Sequence, residues 1–284
     1  MRIGRFEVRE RLGRGGMGTV YRAFDPVLQR DVALKAMEGD LGDQADRVRD
    51  EARALARLTH PNVVAVHELG VEAGQVFVAM EHVQGPNLGA WAATLEPAVR
   101  PAAVLEAFIQ AGMGLQAAHD AGLVHRDIKP ENLLRHADGR VVVADFGLAV
   151  LEGSDEGVVA GTPPFIAPEV LEHGTAGPSS DQFAFAASLW RLLDPEAALR
   201  DRDARIDPIV KDSLIRALDP DPDVRWSSVR ALLQALVAAR APDPSARRRP
   251  SPERRGSVLL QSAKRARLSR RKAGAAWWMR GVLG

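Results

Sequence analysis

The chain has 284 residues, of which 46% are hydrophobic and 26% are charged, as in ordinary globular proteins. It contains no cysteine, which excludes disulfides, a thiolate nucleophile and cysteine-based metal sites and fits a reducing compartment. The first residues, MRIGRFEVRERLG, lack an apolar segment, so we expect no signal peptide. No stretch approaches the roughly 18 apolar residues of a membrane-spanning helix.

The formal net charge of +1 conceals two regions of opposite charge. Residues 243–284 contain 12 Lys and Arg against 2 Asp and Glu, a charge of +10. The 26 basic and 35 acidic residues before them carry −9. The sequence therefore predicts an acidic globular part followed by a basic tail, joined by the proline-, serine- and arginine-rich stretch APDPSARRRPSP.

Short stretches rich in β-branched and aromatic residues predict strands in the first third: FEVRERL, TVYRAF, DVALKAM, VVAVHEL and QVFVAM. A helix from about Ala45 to Leu58 is predicted between the third and fourth strands, because its apolar residues recur at helical spacing. Glu51 lies on the same apolar stripe, where an unpaired carboxylate is costly.

From Pro101 onward the pattern is helical. The first predicted helix ends at Gly122, a plausible C-cap, and further helices are predicted at about 180–193, 208–218 and 227–238. One short buried strand, RVVVADFG, interrupts them. The sequence thus predicts an α+β protein with a β-rich amino-terminal lobe and a mainly helical carboxy-terminal lobe.

Two polar features stand out in the β-rich lobe. Gly13, Gly15 and Gly18 lie between two strands, whereas the glycine motif of dinucleotide-binding folds opens a helix. Such a hairpin can bring backbone N–H groups close to phosphates. Lys35 lies in an otherwise apolar strand and needs an anion, which Glu51 would supply. A structural ion pair would explain Lys35 and Glu51, but not the glycine hairpin.

The stretch HRDIKPEN concentrates polar side chains between a helical and an apolar segment. Asp127 can accept a hydroxyl proton, Lys129 can neutralise a phosphoryl group, and Asn132 offers an amide oxygen to a metal. Asp145 follows at a strand end before Phe-Gly, as suits a ligand of a hard cation. Asn132 and Asp145 would share metal ions that bridge nucleotide phosphates.

The ordered set Gly-x-Gly-x-x-Gly-x-Val, Val-Ala-x-Lys, a helix Glu, His-Arg-Asp-x-Lys-x-x-Asn, Asp-Phe-Gly and Ala-Pro-Glu resembles the protein-kinase signatures. Over residues 6–240 the chain resembles bacterial Hanks-type (eukaryotic-like) serine/threonine protein kinases. The resemblance implies a bilobal kinase fold, with a β-rich N-lobe carrying one regulatory helix at 1–83 and a C-lobe at 84–241. Residues 242–284 would form a disordered or partly helical basic tail.

The resemblance also implies site roles. Its cofactors would be ATP and Mg²⁺, with Mn²⁺ as an alternative. The implied catalytic residues are Asp127, which orients and deprotonates the hydroxyl, Lys129, and Lys35 held by Glu51. The implied metal ligands are Asn132 and Asp145. The implied nucleotide-binding residues, including the gatekeeper Met80 and the hinge residues Glu81 and Val83, are Leu12, Gly13, Gly15, Gly18, Val20, Ala33, Lys35, Met80, Glu81, Val83 and Leu134.

Other matched residues would be structural. They are the apolar spine of Leu55, Val66, His125 and Phe146, the Glu169–Arg225 ion pair, and Asp181, which would anchor the catalytic-loop backbone. The chain departs from the family at two places. Between Asp145 and Glu169 the only hydroxyl residues are Ser154 and Thr162, so either Ser154 is phosphorylated or activity is constitutive. After Leu193 the chain is shortened, where a substrate-docking helix is expected.

The resulting hypothesis is an ATP-dependent protein serine/threonine kinase of bacterial signalling, located in the cytoplasm. Its partner would be a protein substrate, with self-phosphorylation at Ser154 or Ser257. The rival interpretation is a pseudokinase that binds nucleotide as a scaffold; GTPPFIAPE, which resembles a peptide-binding loop, disfavours a small-molecule phosphotransferase. For the tail we consider a solvated segment, contact with an anionic membrane through Trp277 and Trp278, nucleic-acid binding, or an internal substrate at Ser257.

Overall fold

A six-stranded antiparallel sheet forms the amino-terminal lobe in a computed structural model, which describes residues 1–15, 18–37, 44–72, 74–146 and 163–240. The strand order is β1-β2-β3-β4-β6-β5. The strands are β1 (Arg2–Ile3), β2 (Phe6–Gly15), β3 (Gly18–Asp25), β4 (Arg30–Met37), β5 (Val66–Glu72) and β6 (Gln75–Glu81). Alternating side chains from these strands bury a small core around Phe6, Leu34 and Phe77.

The helix α1 (Gln44–Arg57) connects β4 to β5 and confirms the predicted helix to within one residue. Its inward side carries Ala52 and Leu55, which are buried, and Glu51, which is partly buried. A carboxylate on this side of an amphipathic helix must find a cation within the protein. Glu51 therefore needs a cationic partner from another element of the fold.

The carboxy-terminal lobe is mainly helical, as predicted. It contains α2 (Leu88–Ala93), α3 (Arg100–Asp120), a hairpin of β7 (Leu133–Arg135) and β8 (Val141–Val143), α4 (Pro168–His173), α5 (Pro178–Leu193), α6 (Pro208–Ala217) and α7 (Val229–Arg240). The helix α5 runs through the centre of this lobe, and its residues Phe185, Leu189 and Trp190 are fully buried. The helix α5 is therefore the centre of the apolar core of this lobe.

The end of α3 determines where the polar stretch HRDIKPEN begins. Gly122 has a φ of +77°, a left-handed conformation that favours glycine. The backbone N–H of Leu123 bonds to the carbonyl of Ala118 at 2.9 Å, and that of Gly122 bonds to the carbonyl of His119 at 2.9 Å. These two bonds form a Schellman motif, which confirms the predicted cap and turns the chain toward the site.

A loop at residues 194–207 connects α5 directly to α6 and confirms the predicted shortening. Asp194 Oδ2 accepts a hydrogen bond of 2.7 Å from the backbone N–H of Arg205, which closes the loop. Within this loop, Ala197, Ala204 and Ile206 are buried. Among the described residues, no helix is both long enough and apolar enough to cross a membrane.

Candidate active site

Asp181 in the first turn of α5 holds the backbone that leads into the polar stretch. Its Oδ2 accepts the backbone N–H of His125 at 2.7 Å and lies 2.8 Å from His119 Nε2, while its Oδ1 accepts the N–H of Arg126 at 2.8 Å. The predicted anchoring contacts of Asp181 are therefore present. His119, which lies in the last turn of α3, was missed by the sequence analysis, although a polar side chain at an otherwise apolar helix end was a usable signal.

His125 joins this stretch to the strand end that carries Asp145. Its ring lies 4.6 Å from the ring of Phe146, as the spine prediction requires. His125 Nδ1 accepts the backbone N–H of Asp127 at 3.2 Å, so the proton must be on Nε2, which lies 2.8 Å from the carbonyl of Ala144. The ring is therefore neutral, and burial accordingly lowers its pKa.

Asp127 lies at the centre of a compact polar cluster. Lys129 Nζ lies 2.7 Å from Asp127 Oδ2. Asn132 donates from Nδ2 to the backbone carbonyl of Asp127 at 2.7 Å and to its Oδ2 at 3.1 Å. The short 3₁₀ turn Pro130–Asn132 places the amide there, and β7, which begins with the buried Leu133, follows it directly. The predicted acid, base and amide are thus brought together.

Asp145 belongs to the carboxy-terminal lobe, as Asp127 does. It has a φ of +59°, an uncommon conformation for a residue with a side chain, and follows β8 by two residues. Its Oδ1 lies 3.1 Å from Nζ of Lys35, whose side chain is buried on β4. The cation in the apolar strand thus meets a carboxylate, as expected, but from a different residue.

The predicted Lys35–Glu51 pair is wrong for this structure. Glu51 Oε1 instead accepts from Arg126 Nη1 at 2.6 Å, and its Oε2 is buried without a hydrogen-bond partner. Burial raises the pKa of Glu51, and the hydrogen bond and charge of Arg126 offset this only in part. The physical reason is that both carboxylates reach cations on the opposite lobe, a choice that spacing along the sequence does not determine.

Above this cluster lie the predicted nucleotide-binding residues. Ala33 and Met80 share one buried apolar cluster, against which Val20 and Leu134 pack, while Leu12 is 45% exposed. A Cβ at Gly18, where φ is +139°, would lie 2.1 Å from the carbonyl oxygen of Ala36, so this position requires glycine. By contrast, a Cβ at Gly13 or Gly15 would meet nothing within 4 Å, so the hairpin leaves space at both.

A pocket that the sequence analysis did not predict lies behind these residues. Glu51 and Leu55 of α1 line it, together with Met80, Asp145 and Phe146. Glu51, whose Oε2 has no hydrogen-bond partner, is thus one of the residues that line this pocket.

The predicted Glu169–Arg225 pair is present and bidentate. Arg225 Nη1 and Nη2 each lie 2.7 Å from one carboxylate oxygen of Glu169. The guanidinium is fully buried and also donates to the carbonyls of Ser179 and Asp219. The pair therefore ties α4 to the start of α5 and to the segment after α6, beneath the site.

The two-lobed fold, with its polar loop facing a lysine and a glycine hairpin across a cleft, defines the protein-kinase class of phosphotransferases. The chain belongs to the protein kinase domain family, whose sequence pattern matches residues 6–254. It is 36% identical over 247 residues to serine/threonine-protein kinase PknK of Mycobacterium bovis, covering 82% of this chain. It is 40% identical over 196 residues to serine/threonine-protein kinase PknL of Mycobacterium tuberculosis, covering 66% of this chain.

The chain spans only part of these relatives, 21% of PknK and 49% of PknL. Among solved structures, the PknI kinase domain of Mycobacterium tuberculosis matches with a TM-score of 0.66 and 27% identity, covering 84% of this chain and 98% of that one. The similarity thus covers a whole kinase domain. The sequence expectation of a bacterial Hanks-type kinase and its bilobal fold is confirmed.

Proposed function

We propose that the chain transfers the γ-phosphate of ATP to serine or threonine hydroxyls of proteins. The observation that carries the proposal is the Asp127 cluster, in which Lys129 and Asn132 hold the carboxylate at 2.7 and 3.1 Å. The names of the relatives, which state serine/threonine kinases, support the acceptor class. The intact set of Lys35, Asp127 and Asp145 supports an enzyme rather than a scaffold that only binds nucleotide.

In this proposal the protein acts mainly by positioning and by charge. Asp127 accepts the proton of the acceptor hydroxyl as the hydroxyl oxygen attacks the γ-phosphorus, while the bond from that phosphorus to the β–γ bridging oxygen breaks and ADP leaves. Lys129, beside that carboxylate, places a positive charge near the transferred group. Lys35 leaves its ion pair with Asp145, pairs with Glu51 and contacts the α- and β-phosphates. The glycines of the hairpin, Gly13, Gly15 and Gly18, cover the phosphates.

The metal-binding part of the proposal assigns Asn132 and Asp145 as ligands. Bound Mg²⁺, or Mn²⁺ in its place, neutralises negative charge on the phosphates. An amide oxygen and a carboxylate fit this role, because Mg²⁺ in kinases is held by one or two such groups and by the substrate phosphates.

The adenine-binding part of the proposal uses Met80 as gatekeeper and the backbone of Glu81 and Val83 as the hinge. The apolar residues that enclose the base are Leu12, Val20, Ala33 and Leu134. Four of the side chains named here, those of Val20, Ala33, Met80 and Leu134, already share one apolar cluster, which supports the assignment. The lobe boundaries at 83 and 241 belong to the same proposal.

Regulation and location extend the proposal beyond the described residues. Ser154, Thr162 and Ser257 all lie outside them, as do Trp277, Trp278 and the rest of the basic tail. We place self-phosphorylation at Ser154 or Ser257. We place the chain in the cytoplasm. The tail charge of +10 favours two variants, peripheral attachment to an anionic membrane and binding to nucleic acid.

Autophosphorylation with Mg-ATP tests the proposal, with sites mapped by mass spectrometry. The comparison includes the wild type, Asp145→Ala and a chain ending at Ala241. Phosphate on the wild type and none on Asp145→Ala is the expected result, and the mapped site assigns Ser154 or the tail. ATP binding without any phosphate on the chain or on an added basic protein would overturn the enzyme in favour of a nucleotide-binding scaffold.

A further inference from the structure

Arg140 connects its own segment of the chain to two others. It belongs to the connection between β7 and β8 in the carboxy-terminal lobe. Its Nη2 donates to Glu81 Oε1 at 2.5 Å, and its Nη1 donates to the carbonyl of Pro61 at 3.0 Å. A single guanidinium therefore joins the carboxy-terminal hairpin, the hinge and the loop between α1 and β5.

Glu81 is held from both lobes. Its backbone N–H donates to the carbonyl of Ala65 at 2.8 Å, and its Oε2 lies 3.5 Å from the backbone N–H of Ala65. Its Oε1 takes the hydrogen bond from Arg140. Burial raises the pKa of Glu81, but the hydrogen bond and charge of Arg140 outweigh it and leave the pKa below its ordinary value. The carboxylate is thus charged and fixed in one orientation.

His136 completes the group from the other end of the hairpin turn. Its Nε2 lies 2.8 Å from Arg140 Nη2 and 3.2 Å from Glu81 Oε1. Because a guanidinium only donates, Nε2 accepts in the Arg140 contact. The backbone N–H of His136 also donates to the carbonyl of Arg140 at 2.8 Å. The turn that carries Arg140 is therefore itself fixed, so the guanidinium is a firm point of attachment.

We propose that Arg140 is a positioning residue for nucleotide: through Glu81 it sets the place of the hinge backbone that bonds adenine. The inference rests on the proposed function, because it assigns adenine to the hinge. Hydrogen bonds to a base weaken steeply when a donor or acceptor moves or turns, so an unanchored hinge binds adenine less well. No residue of the Arg140 group belongs to the phosphate- or hydroxyl-handling machinery around Asp127.

A general role in stability predicts a different result. The Arg140 side chain is 33% exposed and that of Glu81 is 21% exposed, so solvent screens the ion pair in part and its contribution to folding stability is modest. Removing the guanidinium should therefore lower the melting temperature only modestly. The loss should instead fall on ligands that bind through adenine, while turnover at saturating ATP changes little.

Adenosine is the sharpest probe, since it carries the base without the phosphates. We would compare Arg140→Ala and Arg140→Lys with the wild type, using Arg205→Ala as the control. Arg205 is an exposed arginine that pairs with Glu196 far from the hinge along the chain. Calorimetry would measure adenosine and ATP dissociation constants, and kinase assays would give KM for ATP and kcat.

We expect Arg140→Ala to weaken adenosine and ATP by about tenfold each, as for one lost charged hydrogen bond. The KM for ATP should rise by a similar factor at nearly constant kcat. Arg140→Lys should recover part of the affinity, and Arg205→Ala should match the wild type. In a double-mutant cycle with Glu81→Gln, the second change should add little, because both remove the same contact.

Unchanged adenosine affinity in Arg140→Ala would overturn the positioning role. So would a melting temperature that falls in step with affinity, because the residue would then be structural. Wild type that binds neither adenosine nor ATP would instead refute the proposed function and this inference together. Intact adenosine binding with no phosphate transfer would refute the kinase activity alone and leave Arg140 testable by binding.

Discussion

At the scale of single residues, the site uses backbone conformations that side chains rarely adopt. Arg126 and Asp145 have φ values of +69° and +59°, each of which costs about 1–3 kcal/mol unless its surroundings compensate. Asp181 compensates at Arg126 by accepting its backbone N–H at 2.8 Å. The strained backbone orients the guanidinium of Arg126 and the carboxylate of Asp145, the candidate metal ligand. The surrounding fold must therefore hold both residues in place.

Asp127→Asn tests the assigned base with the smallest change of shape. The amide cannot take the hydroxyl proton, so kcat should fall by about 10²- to 10⁴-fold. Glu172→Gln is a matched control, because that carboxylate is exposed on α4. Steady-state kinetics and ATP calorimetry should show lost turnover with ATP affinity within about threefold of the wild type, the scatter expected of such context-dependent effects. Full activity in Asp127→Asn would remove the residue from the mechanism.

His125 makes stability depend on pH. In the folded protein it is buried and neutral with a lowered pKa, whereas the unfolded chain takes up a proton near the ordinary value of 6.5. The unfolded state therefore binds more protons below that pH. The stabilisation from this residue is complete above about pH 6.5 and is lost as the pH falls below it.

Urea titrations at pH 7.5 and 5.5 measure this dependence. His125→Phe keeps a ring beside Phe146 but lacks both ring nitrogens, so it should be less stable at pH 7.5 and lose less on acidification than the wild type. Part of the slope should remain, because burial also lowers the pKa of His60, His67 and His82. An equal loss in both proteins would show that His125 does not titrate on unfolding.

At the scale of elements, α3 is fixed against the loop between α1 and β5 by a close backbone approach. A Cβ at Gly114 would lie 2.1 Å from the carbonyl oxygen of Asn62, whereas one at Gly112 would meet the ends of the Leu233 and Phe185 side chains. Asn62 also donates to the carbonyl of Val141 at 2.7 Å. The two lobes therefore meet at this contact.

Gly114→Ala measures that approach. Alanine favours a helix over glycine by about 1 kcal/mol, so a free surface position would be stabilised. Here the methyl meets backbone, and we expect a net destabilisation of about 1–3 kcal/mol in urea denaturation. Gly112→Ala should be milder, because its neighbours are flexible side-chain ends. A more stable Gly114→Ala protein would contradict the close packing.

The predictability of elements followed their length, except for the three-residue β8, which its apolar run predicted. The periodic helices α1, α3, α5, α6 and α7 and the longer strands were predicted, whereas β1, α2, α4 and β7 were missed. The missed elements have six residues or fewer, too few for a periodic signal, and tertiary contacts decide them. The start of β5 was misplaced because VVAV is apolar throughout and lies partly in the buried loop before the strand.

At the scale of the whole molecule, the lobes exchange charges across the cleft. Glu51 pairs with Arg126 and Lys35 with Asp145. The sequence predicted that each buried charge has a partner, because desolvation demands it. The sequence could not predict which partner each charge has, because both observed pairs join residues of opposite lobes. Binding a metal to Asp145 would release Lys35, and Glu51 is the carboxylate then expected to hold it.

Glu51→Gln separates stability from activity. Because the carboxylate is already disfavoured by burial, its neutral replacement should change the free energy of unfolding by no more than about 1 kcal/mol. The amide cannot form the charged bond to Lys35, so kcat/KM should fall by about 10- to 100-fold. Thermal melts and steady-state kinetics check both expectations. Wild-type activity in Glu51→Gln would show that Lys35 needs no carboxylate from α1.

The carboxy-terminal limit of the folded unit gives a further whole-molecule test. The helix α7 contributes Val229, Leu232 and Leu236, all fully buried, to the core around α5. Arg230 adds an ion pair of 2.6 Å to Asp120 of α3. Burying such apolar side chains contributes about 1.5–3 kcal/mol each, so losing α7 removes an amount comparable to a typical domain's total stability of about 5–15 kcal/mol.

We therefore expect a chain ending at Ala241 to melt cooperatively at the temperature of the full chain, and a chain ending at Ser228 to remain unfolded. Circular dichroism and calorimetry on both would test this expectation. A matched chain of full length with the Leu232→Ala substitution should fall between them, because its cavity alone costs about 2–5 kcal/mol. A folded, cooperative protein ending at Ser228 would show that the core closes without α7.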